Sequence, residues 1–160
     1  MDLPKLEFVC DRTGRDVDYV IELTRKYQNG TITDNEKKEW MRGLKGALNA
    51  SDLNRIESNI ASISSILQVE IGSCQNNWSA RDKPHAEDYE RIRNNVKTIR
   101  DEWMQLPGIL PVPERPLNTY QKWNDIEKIL SDIFLVYKNI IGNFYYCDTE
   151  VYAGEGIGVL

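Results

Sequence analysis

The sequence predicts a mainly α protein: a bundle of about five helices, with short extended or β segments at its N- and C-termini. Three observations carry that prediction. Apolar residues recur at alternating spacings of three and four, the period of an amphipathic helix and not of a strand. Polar N-cap signals stand at the head of each such stretch. Glycine, asparagine and proline clusters separate them. The 160 residues suit one domain. Residues 1–142 are expected to form the bundle with its extended N-terminal segment, and 143–160 a short C-terminal stretch packed on the bundle or on a partner.

The first dozen residues, with LEFVC in their middle, read as extended. A helix then follows in DRTGRDVDYVIELTRKYQNG. Thr13 can cap it, with Asp16 three residues on and acids in the first turn. Val17, Val20, Ile21, Thr24 and Tyr27 are spaced as one face, and Asn29-Gly30 ends it. A second helix starts at TDNEKKEWMRGL, where Thr33 and Glu36 match a capping box. Its apolar residues are Trp40, Met41 and Leu44, and Gly43 and Gly46 loosen and end it.

Asn49 or Ser51 is placed to cap a third helix, whose seam is Leu53, Ile56, Ile60, Ile63 and Leu67. The polar junction GLKGALNAS therefore reads as helix punctuation rather than as a catalytic loop. A polar break surrounds Gly72. Pro84 is then expected in the first turn of a fourth helix carrying Tyr89, Ile92, Val96, Ile99 and Trp103. The prolines of LPGILPVPERPLN stop it. Asn118 or Thr119 caps the last helix, whose seam is Trp123, Ile126, Leu130, Ile133 and Tyr137, and Gly142 is the expected stop. The seams echo one another. RIESNIASI resembles RIRNNVKTI, and LNRIE and WNDIE share Asn-x-Ile-Glu. The spacing of the echoes is not constant, so they are read as one seam reused and not as a repeat protein.

Charge and composition narrow the function classes. A net charge of −5, with acids and bases interspersed, offers no basic stripe for phosphates, so no nucleic-acid partner is expected. No apolar run approaches the ~20 residues of a membrane span, and no membrane partner is expected. The N-terminus lacks a signal-peptide pattern. Three scattered cysteines, Cys10, Cys74 and Cys147, form no metal-ligand pair.

Chemistry finds few groups to use. His85, the single histidine, reads as a surface residue. Glu57 and Glu127 could meet in a bundle core as carboxylates do at di-iron sites, but the Glu-x-x-His elements of such sites are missing. GEGIG near the C-terminus precedes no helix and is not a phosphate loop. No enzyme, metal or cofactor is therefore expected. Trp40, Trp103 and Trp123 read as core residues, with Trp78 the exception. The C-terminal stretch NFYYCDTEVYAGEGIGVL carries Phe144, Tyr145, Tyr146, Val151 and Tyr152, whose β propensity suggests two short strands, or a strand and a turn. Two fates stand open. The strands pair with LEFVC and cap the bundle, or they present an edge to a partner.

Taken together, DRTGRDVDYV, GTITDNEKKEWMRGLKGALNASDLNRIESNI, YQKWNDIEKIL and YAGE resemble a family of small helical proteins. These are encoded in the tail and baseplate region of phages and prophages of Gram-positive bacteria. The resemblance covers most of the chain, more loosely between Ile71 and Pro84. The family's C-terminal YSGE-x-YAGE pattern is matched here only in its second half, the first reading YCDTE. The resemblance implies a structural adaptor of the phage tail, docked on other tail or baseplate proteins or on its own copies. It implies a place in the virion, after assembly from the host cytoplasm, and it transfers no catalytic residues. Two other readings are a receptor-binding accessory, with Tyr145, Tyr146 and Tyr152 stacking on cell-wall glycan, and a non-virion assembly factor or host regulator.

Overall fold

The computed structural model describes residues 3–103 and 106–147. It holds five α-helices: α1 (Gly14–Gln28), α2 (Asp34–Arg42), α3 (Ala50–Leu67), α4 (Ala86–Trp103) and α5 (Tyr120–Cys147). The fold is mainly α, as the periodicity predicts, and no strand forms among the described residues. α3, α4 and α5 pack on one another as a three-helix bundle, while α1 and α2 pack chiefly on each other as a helical hairpin. The core lies in the bundle. Ile56, Ile60, Ile92, Val96, Ile126 and Leu130 are completely buried, each at a predicted seam position.

The hairpin is built differently. Thr33 with Glu36 forms the predicted capping box, and Thr13, the predicted cap of α1, forms a second one with Asp16. The Lys26 ammonium, and behind it the Thr33 amide and hydroxyl, hold the Glu36 carboxyl down at about 2, which clamps the turn between the helices. The predicted face of α1 is only partly right. Leu23, outside it, is the residue that is buried, while Ile21 is 51% and Tyr27 48% exposed. α1 packs chiefly on one helix, α2, so it seals one narrow line of contact instead of a broad stripe. α2 buries none of its residues. Trp40 stacks on Tyr27 at 4.8 Å, Met41 is 72% exposed, and only Leu44, beyond the helix end, is buried.

Asn49 is the N-cap of α3, and Ser51 is its second helical residue, exposed and not a cap. Asp52 accepts the Asn49 N–H at 3.0 Å. The Asn49 side chain turns back and donates to the carbonyls of Leu44 and Ala47 at 3.0 and 3.2 Å, so it ties the whole junction to the helix start. Asn49→Ala is expected to cost about 1–2 kcal/mol, and Ser51→Ala almost nothing. Urea unfolding of the two variants checks this, and equal costs would contradict it.

α4 begins at Ala86, later than Pro84 suggests. Exposed His85 stands before it and donates its N–H to Asp88 at 2.8 Å. Thr119 stands before α5, with its Oγ1 accepting the Lys122 N–H at 3.4 Å.

Two expectations for the chain ends are corrected. Gly142 does not stop α5, which runs on to Cys147, so the backbone of Phe144, Tyr145 and Tyr146 is helical and not a strand. The aromatic β propensity is weak beside the continuation of a formed helix, and nothing between Gly142 and Cys147 breaks it. Val151 and Tyr152 lie outside the described residues. Gly142 is exposed with open space around it. Gly142→Ala should therefore raise stability by about 0.5–1 kcal/mol. A lower melting temperature would indicate a helix stop there instead. The N-terminal segment, for its part, pairs with no strand among the described residues. It lies in the cleft of the bundle with Leu6 and Phe8 against the core, tied by side chains of α3 and α5.

Candidate functional site

The ties that hold the extended segments are built from the echoed residues. Asn124, in WNDIE on α5, brackets the backbone of Arg12: its Oδ1 accepts the Arg12 N–H at 3.2 Å and its Nδ2 donates to the Arg12 carbonyl at 2.8 Å. Three residues along α5, Glu127 accepts the Val9 N–H at 2.8 Å. Asn54, in LNRIE on α3, brackets Trp78 in the same way at 2.7 and 2.9 Å, and Glu57 accepts the Gln75 N–H at 2.8 Å. The partners are three residues apart in both segments. Asn59 then donates to the Glu7 carbonyl, and Asn95 to that of Ser73. Glu7, Val9 and Arg12 are thus held in the same register as Ser73, Gln75 and Trp78. The sequence echo is a repeated unit after all, an extended segment followed by a bundle helix. The proline segment before α5 follows with arginine donors. Arg100 and Arg93 of α4 donate to the carbonyls of Leu110 and Pro113, both at 2.7 Å.

Glu57 and Glu127 are both fully buried, and they do not meet. Glu127 Oε1 pairs with Arg12 at 2.9 Å and Arg55 at 2.8 Å. Asp52 completes that cluster, 2.8 Å from Arg55 and 3.4 Å from Arg12. Glu57 pairs with Arg91 at 2.8 Å and accepts the indole N–H of Trp78 at 2.9 Å. Trp78, the exception at sequence level, is thus a core residue. A lone buried carboxylate would be costly, and each is neutralised by arginine and satisfied by backbone amides. These are structural rivets between helices and segments. Burial, and after it the charge of Glu57, pushes the Cys74 thiol above its ordinary value. Burial and Glu127 do the same for Cys10. Neither thiol is tuned for nucleophilic attack.

In the repeated unit, the first segment and its helix α3 are separated by α1 and α2. The hairpin is thus an insertion in a scaffold that already closes its own core. It adds nothing to the main apolar cluster. Yet Tyr19, Ile21, Tyr27 and Met41 on it are four of the six large hydrophobic residues exposed among the described residues.

The insertion returns to the bundle through the Gly43–Asn49 junction. Gly43 turns the chain at φ 95°. Gly46 sits on the first turn of α1 so closely that a Cβ there would lie 2.2 Å from the Asp16 carbonyl carbon. The punctuation reading of this stretch is right as far as it goes, since the junction caps and packs. The same stretch also lines three hollows between hairpin and bundle. The largest, about 710 Å³, lies over Val17, Gly46, Leu48, Tyr89 and Trp123, with Arg12 beneath already committed to its carboxylates. On the opposite flank of the junction, hollows of about 410 and 270 Å³ share Trp40, Met41 and Asn49. They run together as one groove from Val20 of α1 to Trp78 of the second extended segment. Such a groove, walled by polar Asn49, Ser51, Ser79 and Asp82 beside Trp40, Leu48, Trp78 and the adaptable side chain of Met41, suits a peptide better than a reaction.

The sequence-predicted sites fall as follows. The caps Thr13, Thr33, Asn49 and Thr119 stand at helix starts, and Ser51 does not. The backbone of Phe144, Tyr145 and Tyr146 is on the last turns of α5, and Val151 and Tyr152 lie outside the described residues. No three His, Cys, Asp or Glu residues are grouped as metal ligands among the described residues, and no described helix is long and apolar enough to cross a membrane. Sequence reading missed the groove because its walls come from four separate stretches. Compared with protein-family models, with curated proteins and with solved structures, the chain matches none of them.

Proposed function

We propose that this protein is a structural component of a phage tail, in the baseplate or tail tip, and works as an adaptor by docking other proteins. The family resemblance of the hairpin and α3 sequences supports the location. The observation that carries the docking role is the hairpin: an insertion outside the core that bears most of the exposed apolar side chains. A rigid bundle riveted by buried ion pairs holds that hairpin at a fixed angle to the rest of the particle, which suits a spacer.

Met41 tests this reading. It is the most exposed of these apolar residues, and no core contact depends on it. Met41→Glu is expected to leave the unfolding midpoint unchanged within about 0.5 kcal/mol and to remove the protein from assembled particles. Normal incorporation of the variant would refute the hairpin as the docking element.

A further inference from the structure

We propose that the groove between the hairpin and the bundle takes the Asp148–Tyr152 segment of a second copy of the chain, so that copies join head to tail; this rests on the adaptor reading and names one partner for it. Around the groove stand four cations against the two acids Glu39 and Asp82, in a chain that is acidic overall. Arg42 lines it, and Lys37 stands one helical turn before Met41. Arg81 and Lys83 alternate with the lining residues Ala80, Asp82 and Pro84. All four cations are exposed, and none is ion-paired with a carboxylate among the described residues. Asp82 is the one carboxylate on the lining, and its Oδ2 accepts the Ser79 N–H at 2.7 Å.

The complementary segment is in the sequence. After Lys138 there is no basic residue, and DTEVY carries Asp148 and Glu150 beside Val151 and Tyr152. Two acids followed by an apolar pair match a groove that has Arg42 on its lining, Arg81 and Lys83 beside it, and Trp40, Leu48 and Trp78 among its walls. Charge complementarity of this kind selects the partner and speeds its encounter.

Geometry assigns the segment to another copy. The groove lies at the start of α3, whose Asp52 and Arg55 share the ion cluster of Glu127. From Glu127 to Cys147, α5 climbs about 30 Å at 1.5 Å per residue. Tyr152 follows Cys147 by five residues, which reach about 17 Å even when fully extended, well short of that climb. Asp148–Tyr152 therefore cannot return to the groove of its own chain. A groove at one end and its ligand at the other make a heterologous contact, which closes into a ring or continues as a filament.

Sedimentation velocity of the full chain tests the proposal by charge exchange. The wild type is expected to associate reversibly as its concentration rises to about 100 µM, and to dissociate in high salt. Arg42→Glu/Lys83→Glu reverses the rim, and Asp148→Lys/Glu150→Lys reverses the segment. Each double variant alone should be monomeric, with its helical circular dichroism unchanged. Mixed together they should associate again, because each then offers the other's complement. A wild type that stays monomeric, whether a foreign protein or nothing fills the groove, would overturn the proposal. So would variants that associate like the wild type, or a mixture that does not recover. The location in a phage particle is tested separately, by particle composition, and can stand or fall alone.

Discussion

Replacing Glu127 with alanine is expected to lower stability by about 3–5 kcal/mol, the range for removing one partner of a buried ion pair. The loss is not that of one attraction. Glu127 has no solvent exposure, and it neutralises two guanidinium groups, of which the Arg12 side chain is 3% exposed. Without the carboxylate, Arg12 is left buried with Asp52 at 3.4 Å as its remaining acidic partner. The Val9 amide also loses its acceptor, so the N-terminal segment should come free of the α3–α5 cleft. Urea denaturation gives the magnitude, and hydrogen exchange at Val9 reports the segment. The exposed pair Lys45–Asp11 serves as the control. Its members are 41% and 77% exposed, and Asp11→Ala should cost under about 1 kcal/mol. A cost for Glu127→Ala no larger than that of the control would show that the cluster does not rivet the fold.

Gly46→Ala is the second large effect expected. The added methyl would lie 2.2 Å from the carbonyl carbon and oxygen of Asp16, and 2.5 Å from the Val17 nitrogen. These are backbone atoms of the first turn of α1, next to the Thr13–Asp16 capping box, and they cannot swing aside as a side chain can. Overpacking usually costs 1–3 kcal/mol and more where the backbone must shift. About 3 kcal/mol is the expected loss here, with the hairpin displaced from the junction. Gly30→Ala makes the comparison. Gly30 has φ 68° but open space around it, so only the left-handed strain of roughly 1–2 kcal/mol applies. Similar costs for the two variants would mean that the junction does not seat on α1.

These two residues mark where sequence reading succeeds and where it stops. The seams of α3, α4 and α5 were legible because each of those helices is packed on two others, and a packed stripe imposes its period on the sequence. On α1 the signal is weak because a helix packed chiefly on one other needs few apolar positions, so its spacing of valines and threonines says little about which side is sealed. The buried carboxylates were not legible as such. A glutamate beside a seam residue looks the same whether it faces water or an arginine from another helix. The signal that could have found them is the doubled Asn-x-Ile-Glu: two helices sharing a polar pair at fixed spacing had the same polar task. Trp78 was missed because its segment has no helical period, being held by side chains from α3. The C-terminal aromatics suggested strands by propensity, which the continuing helix overrides. The groove had no linear trace, since hairpin, junction, α3 and the second extended segment each supply one wall.

The scaffold and the insertion divide the work between them. Asparagines, glutamates and arginines of the bundle fix three extended segments in place, and the hairpin is held out with its apolar side chains exposed. That arrangement makes mechanical sense for a part whose task is to be stood upon by other proteins. The proposed adaptor is such a part of a phage particle. Quantitative mass spectrometry of density-purified phage particles, induced from a host that carries the coding sequence, tests this most directly. The account predicts the protein at a fixed stoichiometry to the tail rings. Its clean absence from particles, with the protein abundant in the same lysate, would contradict the account and favour an assembly factor or host regulator.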